Sequence, residues 1–347
     1  MFHITCNTDD NYSQHCMAML CSLFENNREE SFIIHVLCNS LSSYNKDSLI
    51  KLTESYKQKI IFHVVDESLL EGVQFRINRP LTKAAYYRIL LSSTLKDIEK
   101  VLYLDCDMII LGKVRELFEL EIKNYALAAV IDNMPYDNCH QMQLSLPINA
   151  HCFCSGIMLI NLDYWRLHKI EPQLLDFAKR KRNPLYLHDQ DVLNYVLANQ
   201  WFMLPPKWNV NPTDIKYSSY FRIYHYKEMI FSPKVIHYCS GISKPWYKAP
   251  CPGSNYYKYY LKLSKYDYVH FQKLPFKQYF KCAYSYFRIY LISRVLPLTP
   301  RVIALVIYDI YNIILLFIYI LGWIFLSKNK FTTKLKEYYS KRVSELI

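Results

Sequence analysis

Short apolar runs recur along the first half of the chain: FHITC (2–6), FIIHVLC (32–38), IIFHVV (60–65), VLYL (101–104), ALAAVI (126–131) and GIMLINL (156–162). None exceeds seven residues, which suits strands buried on both faces better than helices. Between several of them, residues 12–25 and 43–56 space their apolar positions at the helical period. Strand and helix in alternation predict an α/β sheet, largely parallel at first. Residues 183–200 predict a loop entering a helix, with Asp189 or Asp191 suited to its first turn. Further on, KVIHYCSGISKPWY (234–247) ends an apolar strand in His237, followed by Gly241 and Lys244. Taken alone, that histidine is a core or surface residue.

Sheets of this kind bind ligands outside the carboxyl ends of their strands. Two acidic segments stand at such ends, TDDNY after the first run and DCD after VLYL. Asp105 and Asp107 are one residue apart, and along an extended chain such positions point the same way. Two carboxylates that close call for a hard divalent cation, with phosphate oxygens able to fill the remaining positions. The alternative is an exposed turn carrying two solvated acids. No Gly-x-Gly-x-x-Gly follows the first run, which argues against a dinucleotide-type phosphate loop.

At 347 residues the chain has room for one large domain and an appendage. The formal charge of +12 is concentrated at one end: from Lys258 onward, 15 Lys and Arg face four acids. There Tyr, Phe and Lys interleave, and a 25-residue apolar stretch, 302–326, is interrupted only by Asp309 and Asn312. It is long enough to cross a bilayer, but basic residues flank it on both sides, which favours a re-entrant or interfacial helix on anionic headgroups. A core helix of a soluble protein is the alternative. Nucleic-acid platforms share the aromatic and basic texture but do not need that apolar stretch. The eleven cysteines show no Cys-x-x-Cys and no repeated spacing, so a disulfide framework or ribbon-type zinc site is not expected. The cluster His151, Cys152 and Cys154 reads as structural. No export signal opens the chain, and the body is expected in the cytoplasm.

Six segments taken in order, TDDNY (8–12), AYYRIL (85–90), VLYLDCDMII (101–110), CSGIMLINLDYWR (154–166), HDQDVLN (188–194) and HYCSGISKPW (237–246), resemble the retaining glycosyltransferases of family 8. The bacterial lipopolysaccharide galactosyl- and glucosyltransferases are the nearest in pattern, over about residues 1–250. The resemblance implies a GT-A-type nucleotide-sugar-binding domain with a mixed central sheet over residues 1–250, and leaves 251–347 as a basic, aromatic membrane-association region. It implies Mn2+, with Mg2+ as an alternative, on Asp105, Asp107 and His237. Thr8, Asp9, Asn11 and Tyr12 would then hold the uracil end of a UDP-sugar, and Gly241 and Lys244 its phosphates. Arg88, Asp189 and Gln190 would serve the donor sugar, with Gln190 facing the anomeric carbon. An amide is a poor nucleophile, so same-face attack, with the departing phosphate taking the acceptor's proton, is the expected route to a retained α-glycoside. Asp132 matches an acceptor-contacting acid.

The chain departs from the family pattern in three places. Cys154 stands where Asn is common, the loop after His237 is one residue longer, and Pro80 replaces a histidine near the acceptor. The expected activity is transfer of galactose or glucose to lipopolysaccharide or another lipid-linked surface glycan. The expected place is the cytoplasmic face of a bacterial inner membrane, peripheral or monotopic, with residues 258–347 on the anionic surface and no nucleic acid involved. Two rivals remain. A haloacid-dehalogenase-type phosphatase also uses Asp-x-Asp, though with Thr or Val where Ile109 stands. A catalytically inactive, membrane-attached UDP-sugar binder or scaffold would keep the fold without the transfer.

Overall fold

The structure, a computed structural model, describes residues 1–74, 83–132, 146, 151–181, 185–212, 228–229, 232–239, 244–275, 278–279, 281–284 and 286. Strands β1 (Phe2–Asn7), β2 (Phe32–Cys38), β3 (Lys59–Val64) and β4 (Lys100–Leu104) fall where the apolar runs predict them. With β6 (Leu127–Ile131), β7 (Phe153–Asn161) and β8 (Trp201–Leu204) they form a seven-stranded sheet in the order β3-β2-β1-β4-β7-β6-β8. The first four strands are parallel, and β7 runs antiparallel to both its neighbours, β4 and β6. The expected mixed α/β sheet is therefore present. Separate from it, β5 (Met108–Ile110) and β9 (Val235–His237) make a two-stranded ribbon.

Period-two alternation serves two cores at once. Leu102, Leu104, Ile157 and Leu159 face one side, where α1 (Ser13–Asn26) lies. Val101, Tyr103, Met158 and Ile160 face the other, with Trp165 and Leu174. These two come from α3 (Leu162–Leu167) and α4 (Ile170–Arg180), while α2 (Ser43–Ser55) adds Leu49 and Leu52 to the first core. A sheet apolar on both faces needs cover on both, which is why its strands read as continuous runs.

Every residue of α1 from Ser13 to Phe24 is buried. The cover on its outer side comes partly from beyond residue 250. Helix α6 (Ser254–Leu263) turns Tyr257, Tyr260 and Leu261 inward. Gln14 Nε2 donates to Tyr257 Oη at 2.9 Å, and Asn26 donates to Tyr260 Oη at 2.7 Å. One compact unit accordingly runs Met1–Ile289 and a second Tyr290–Ile347, so the expected change of domain at 250 lies inside the first. Among the described residues no helix is long and apolar enough to cross a membrane. The stretch 302–326 lies outside those residues.

His15 on α1 makes this packing sensitive to acid. Its ring stacks on Trp246, centroids 3.7 Å apart, and its Nδ1 is 2.7 Å from Tyr257 Oη. Because that oxygen already accepts from Gln14, the tyrosine hydroxyl is free to donate to a neutral imidazole. Burial pushes the His15 pKa down to about 3 from an ordinary 6.5, and burial takes His35 down to about 4. The unfolded chain therefore binds protons that the folded chain refuses. This part of the stability is present above pH 6.5 and is lost as pH falls towards 3. Melting curves between about pH 4 and 7 should show a shallower pH slope for His15→Gln than for the parent protein. Equal slopes would mean that His15 is not held neutral.

Candidate active site

Because β1 and β4 are parallel neighbours, their carboxyl ends bring Thr8 and Asp9 beside Asp105. After Leu104 the chain turns through 105–107 before β5 begins. The two carboxylates thus converge through a turn, whereas strand alternation predicts convergence along extended chain. The ribbon completes the arrangement: Met108 pairs with His237, and Tyr238 N–H donates to the Asp107 carbonyl at 2.9 Å. His237 Nε2 lies 3.2 Å from Asp107 Oδ1 and 3.8 Å from Asp105 Oδ2.

Charge around this trio is balanced from both sides. Lys244 Nζ is 2.8 Å from Asp107 Oδ2 and also donates to the Tyr238 carbonyl. Burial opposes ionisation of Asp107, yet Lys244 and His237 outweigh it and hold the carboxyl well below its usual range. Burial likewise opposes charge on Lys244 and on His237. Asp107 reverses this for the lysine, while Cys239 and Asp107 reverse it for the histidine, and both pKa values lie above the ordinary ones.

The donor set fits a hard divalent ion. Ligating atoms of Asp105, Asp107 and His237 all lie within 4.8 Å of one another, and two carboxylates with an imidazole suit Mn2+ or Mg2+. Asn209 Oδ1 sits 2.9 Å from His237 Nδ1. That contact fixes the ring so that Nε2 faces the carboxylates, the outer support that metal-binding histidines commonly have. Gly156 gives the ring its space, since a Cβ there would stand 2.3 Å from His237 Cε1. A glycine inside a strand marks such a close approach, and it is the sequence signal for this role. Asn209 left no comparable signal, because its partner is 28 residues away.

Arg88, on a 3-10 helix (Lys83–Leu90), joins the metal pair to the expected sugar-side residues. Its guanidinium donates to Asp105 Oδ1 at 2.8 Å and to the Ser155 carbonyl at 2.8 Å, and lies 3.1 Å from Asp189 Oδ2. Tyr103 adds an O–H bond to Asp105 Oδ1 at 2.8 Å. One buried cation between two carboxylates holds both in place. Burial pushes the Asp189 pKa up to about 6, with Arg88 pulling down and Asp105 pushing further up. For Asp189 the sign is opposite to that of His15: its contribution to stability is full below pH 3.8 and declines as pH rises through 6.

Asp189 and Gln190 begin α5 (Asp189–Val196), directly after His188 at φ 54°. That left-handed backbone is strained for a residue with a side chain, and it turns the chain sharply just before the two site residues. Gln190 Oε1 accepts from Ser155 N–H at 3.0 Å, while its Nε2 donates to Asp132 Oδ2 at 2.5 Å. Both ends of the amide are thereby oriented. Ser155 Oγ is engaged with Arg88 and Asp189, and Cys154 Sγ approaches His237 Nδ1 at 3.9 Å.

Thr8, Asp9 and Tyr12 line the same cleft as Arg88, Asp105 and Asp107. Asp9 Oδ1 accepts from Tyr12 N–H at 2.9 Å, which sets the tyrosine at the start of α1. Asn11 is exposed and outside this lining. Gly241 and Pro80 lie outside the described residues.

Comparison with known proteins agrees with this geometry. The family model Glycosyl transferase family 8 matches residues 3–249. General stress protein A of Bacillus subtilis (strain 168) is 31% identical over 77% of this chain and 95% of its own length. Lipopolysaccharide 1,2-glucosyltransferase of Escherichia coli is 26% identical over 82% of this chain and 85% of its own. Among solved structures, galactosyltransferase LgtC in complex with donor and acceptor sugar analogues is 22% identical, with a TM-score of 0.69 over 80% of this chain and 98% of that one. Its likeness speaks for the fold, a GT-A-like glycosyltransferase architecture. With the family model covering most of the α/β body and a relative matched nearly end to end, the chain belongs to glycosyl transferase family 8.

Proposed function

We propose that this family 8 glycosyltransferase moves glucose or galactose from a UDP-sugar, with retention and with help from Mn2+ or Mg2+, to a lipopolysaccharide or other lipid-linked surface glycan. The observation that carries the reading is the convergence of Asp105, Asp107 and His237 in a cleft shared with Asp9, Tyr12 and Arg88. The relatives support the substrate class, one named for glucosyl transfer to lipopolysaccharide and one for galactosyl transfer.

A divalent ion on the three ligands would stabilise the charge that grows on departing UDP. Lys244 stands beside Asp107 as a second cation for the same charge. Arg88 bonds to Asp105 and pairs with Asp189, which orients both carboxylates. Gln190, fixed by Ser155 and Asp132, presents an amide that can polarise the sugar but is too weak a nucleophile for a covalent intermediate. Same-face attack by the acceptor hydroxyl follows.

The test is UDP release from a panel of UDP-sugars, with Mn2+ or with EDTA, and with UDP binding titrated in the same samples. Metal-dependent release from one donor is expected. Binding with no release from any donor, with or without glycan acceptors, would favour the inactive UDP-sugar binder, and no UDP binding would overturn the reading.

Membrane attachment at the cytoplasmic face of a bacterial inner membrane is part of the proposal. Lys258, Lys262 and Lys265, with Tyr256 and Tyr259, form the exposed side of α6 and its end, a basic and aromatic surface suited to anionic headgroups. Deletion from residue 258 would remove Tyr260 from the packing on α1, so the informative cut is 290–347, the second compact unit. That deletion should weaken salt-sensitive binding to anionic vesicles in flotation assays to what the retained α6 surface supports, and leave donor hydrolysis intact. Unchanged flotation would remove those residues from the attachment role.

A further inference from the structure

Beneath the Asp105–Asp107 turn lies a second group of metal-ligating side chains. Cys6 comes from β1, Cys16 from α1 and Cys106 from the turn itself. All three are buried, and their sulfurs lie within 4.8 Å of one another. The Cys6 and Cys16 sulfurs are 3.8 Å apart. Two thiolates bound at a Zn–S distance of about 2.3 Å in a tetrahedral site are themselves separated by about 3.8 Å. Cys106 Sγ also lies 3.1 Å from the Asn7 carbonyl, a backbone oxygen next to that sulfur.

We propose that Cys6, Cys16 and Cys106 form a binding site for a thiophilic divalent cation, with Zn2+ as the reference ion, distinct from the hard site on Asp105, Asp107 and His237. Softness separates the two sites: three sulfurs select a borderline-soft ion, and two carboxylates with an imidazole suit Mn2+ or Mg2+. Entry is available because Cys106 lines the active-site cleft. Binding replaces up to three thiol protons by one divalent ion and releases those protons to solvent, so affinity rises with pH. Because Cys106 stands between the two aspartates, an ion on the triad ties the turn that carries them to β1 and α1. Spacings of 10 and 90 residues match no linear zinc motif, which is why the sequence alone speaks against such a site.

The test is a Co2+ titration of the reduced full-length chain, read by thiolate-to-cobalt absorption in the near ultraviolet. It is run on the parent protein and on Asp107→Asn, where the hard site is crippled. A saturable band of one ion per chain is expected in both, bleached by Zn2+ and accompanied by a higher melting midpoint. Cys16→Ser should lose the band or weaken binding by more than roughly the 100-fold that loss of a supporting shell can cost. Cys106→Ala, at the least buried of the three positions, provides the same reading should Cys16→Ser fail to fold. No thiolate band in the parent protein, or a band that persists in a folded triad variant, would overturn the site and leave the three thiols as apolar packing.

Discussion

Replacing Asp107 by asparagine should lower sugar transfer by at least about 1,000-fold and remove tight Mn2+ binding, while the protein stays folded. The magnitude follows from the several kcal/mol of charge stabilisation that a metal contributes at a leaving group, with each 1.36 kcal/mol worth tenfold in rate. Asparagine keeps the shape of the side chain, and the backbone bond from Tyr238 N–H to the Asp107 carbonyl is untouched. Lys244 retains the Tyr238 carbonyl, and His237 retains Asn209, so neither is stranded without a partner. The pair of measurements is a Mn2+ titration followed by electron paramagnetic resonance and a UDP-release rate at saturating metal. Wild-type turnover with lost Mn2+ affinity would separate the ion from the chemistry and remove it from the proposed mechanism.

The apolar runs placed most of the sheet because a strand buried on both faces has little freedom in its composition. FIIHVLC coincides with β2, and VLYL lies within β4. The ribbon was less legible. Met108–Ile110 carries no local sign of its partner: the turn at 105–107 redirects the chain to pair with β9, more than 120 residues away. Long-range pairing of two three-residue strands leaves no local pattern. The same holds for α6, whose inward tyrosines read as membrane-facing texture until Gln14, His15 and Asn26 are seen to take their hydroxyls.

At the site, residue types told more than positions. Asp105, Asp107, His237 and Lys244 are brought together as the resemblance implies, since charged groups at strand ends have few structural reasons to be there. The contacts that orient them were illegible. Arg88 reads as a sugar contact, yet its described hydrogen bonds run to Ala85, Ser155 and Asp105, with Asp189 as a further ion partner. Its partners come from four separate segments, and their convergence is a property of the fold.

Gly156 offers the sharpest test of whether His237 is a metal ligand. In a Gly156→Ala variant the new Cβ would fall 2.3 Å from Cε1 and 2.9 Å from Nδ1 of His237, and 2.9 Å from Met108 Cε. The methionine end can swing aside. The imidazole cannot move without breaking its bond to Asn209 or turning Nε2 away from Asp107. Nor can the backbone of residue 156 retreat easily, because its carbonyl accepts from Asp105 N–H at 2.8 Å and the next residue pairs with Leu104. Overpacking of this kind costs roughly 1–3 kcal/mol in stability, and a displaced ligand should weaken Mn2+ binding by about 10- to 100-fold. The double variant Gly156→Ala with His237→Ala makes the test specific: without the ring the alanine has nothing to displace, and the second substitution should add almost no further loss of affinity. Additive losses would mean that Gly156 acts on the metal pair through the strand rather than through His237.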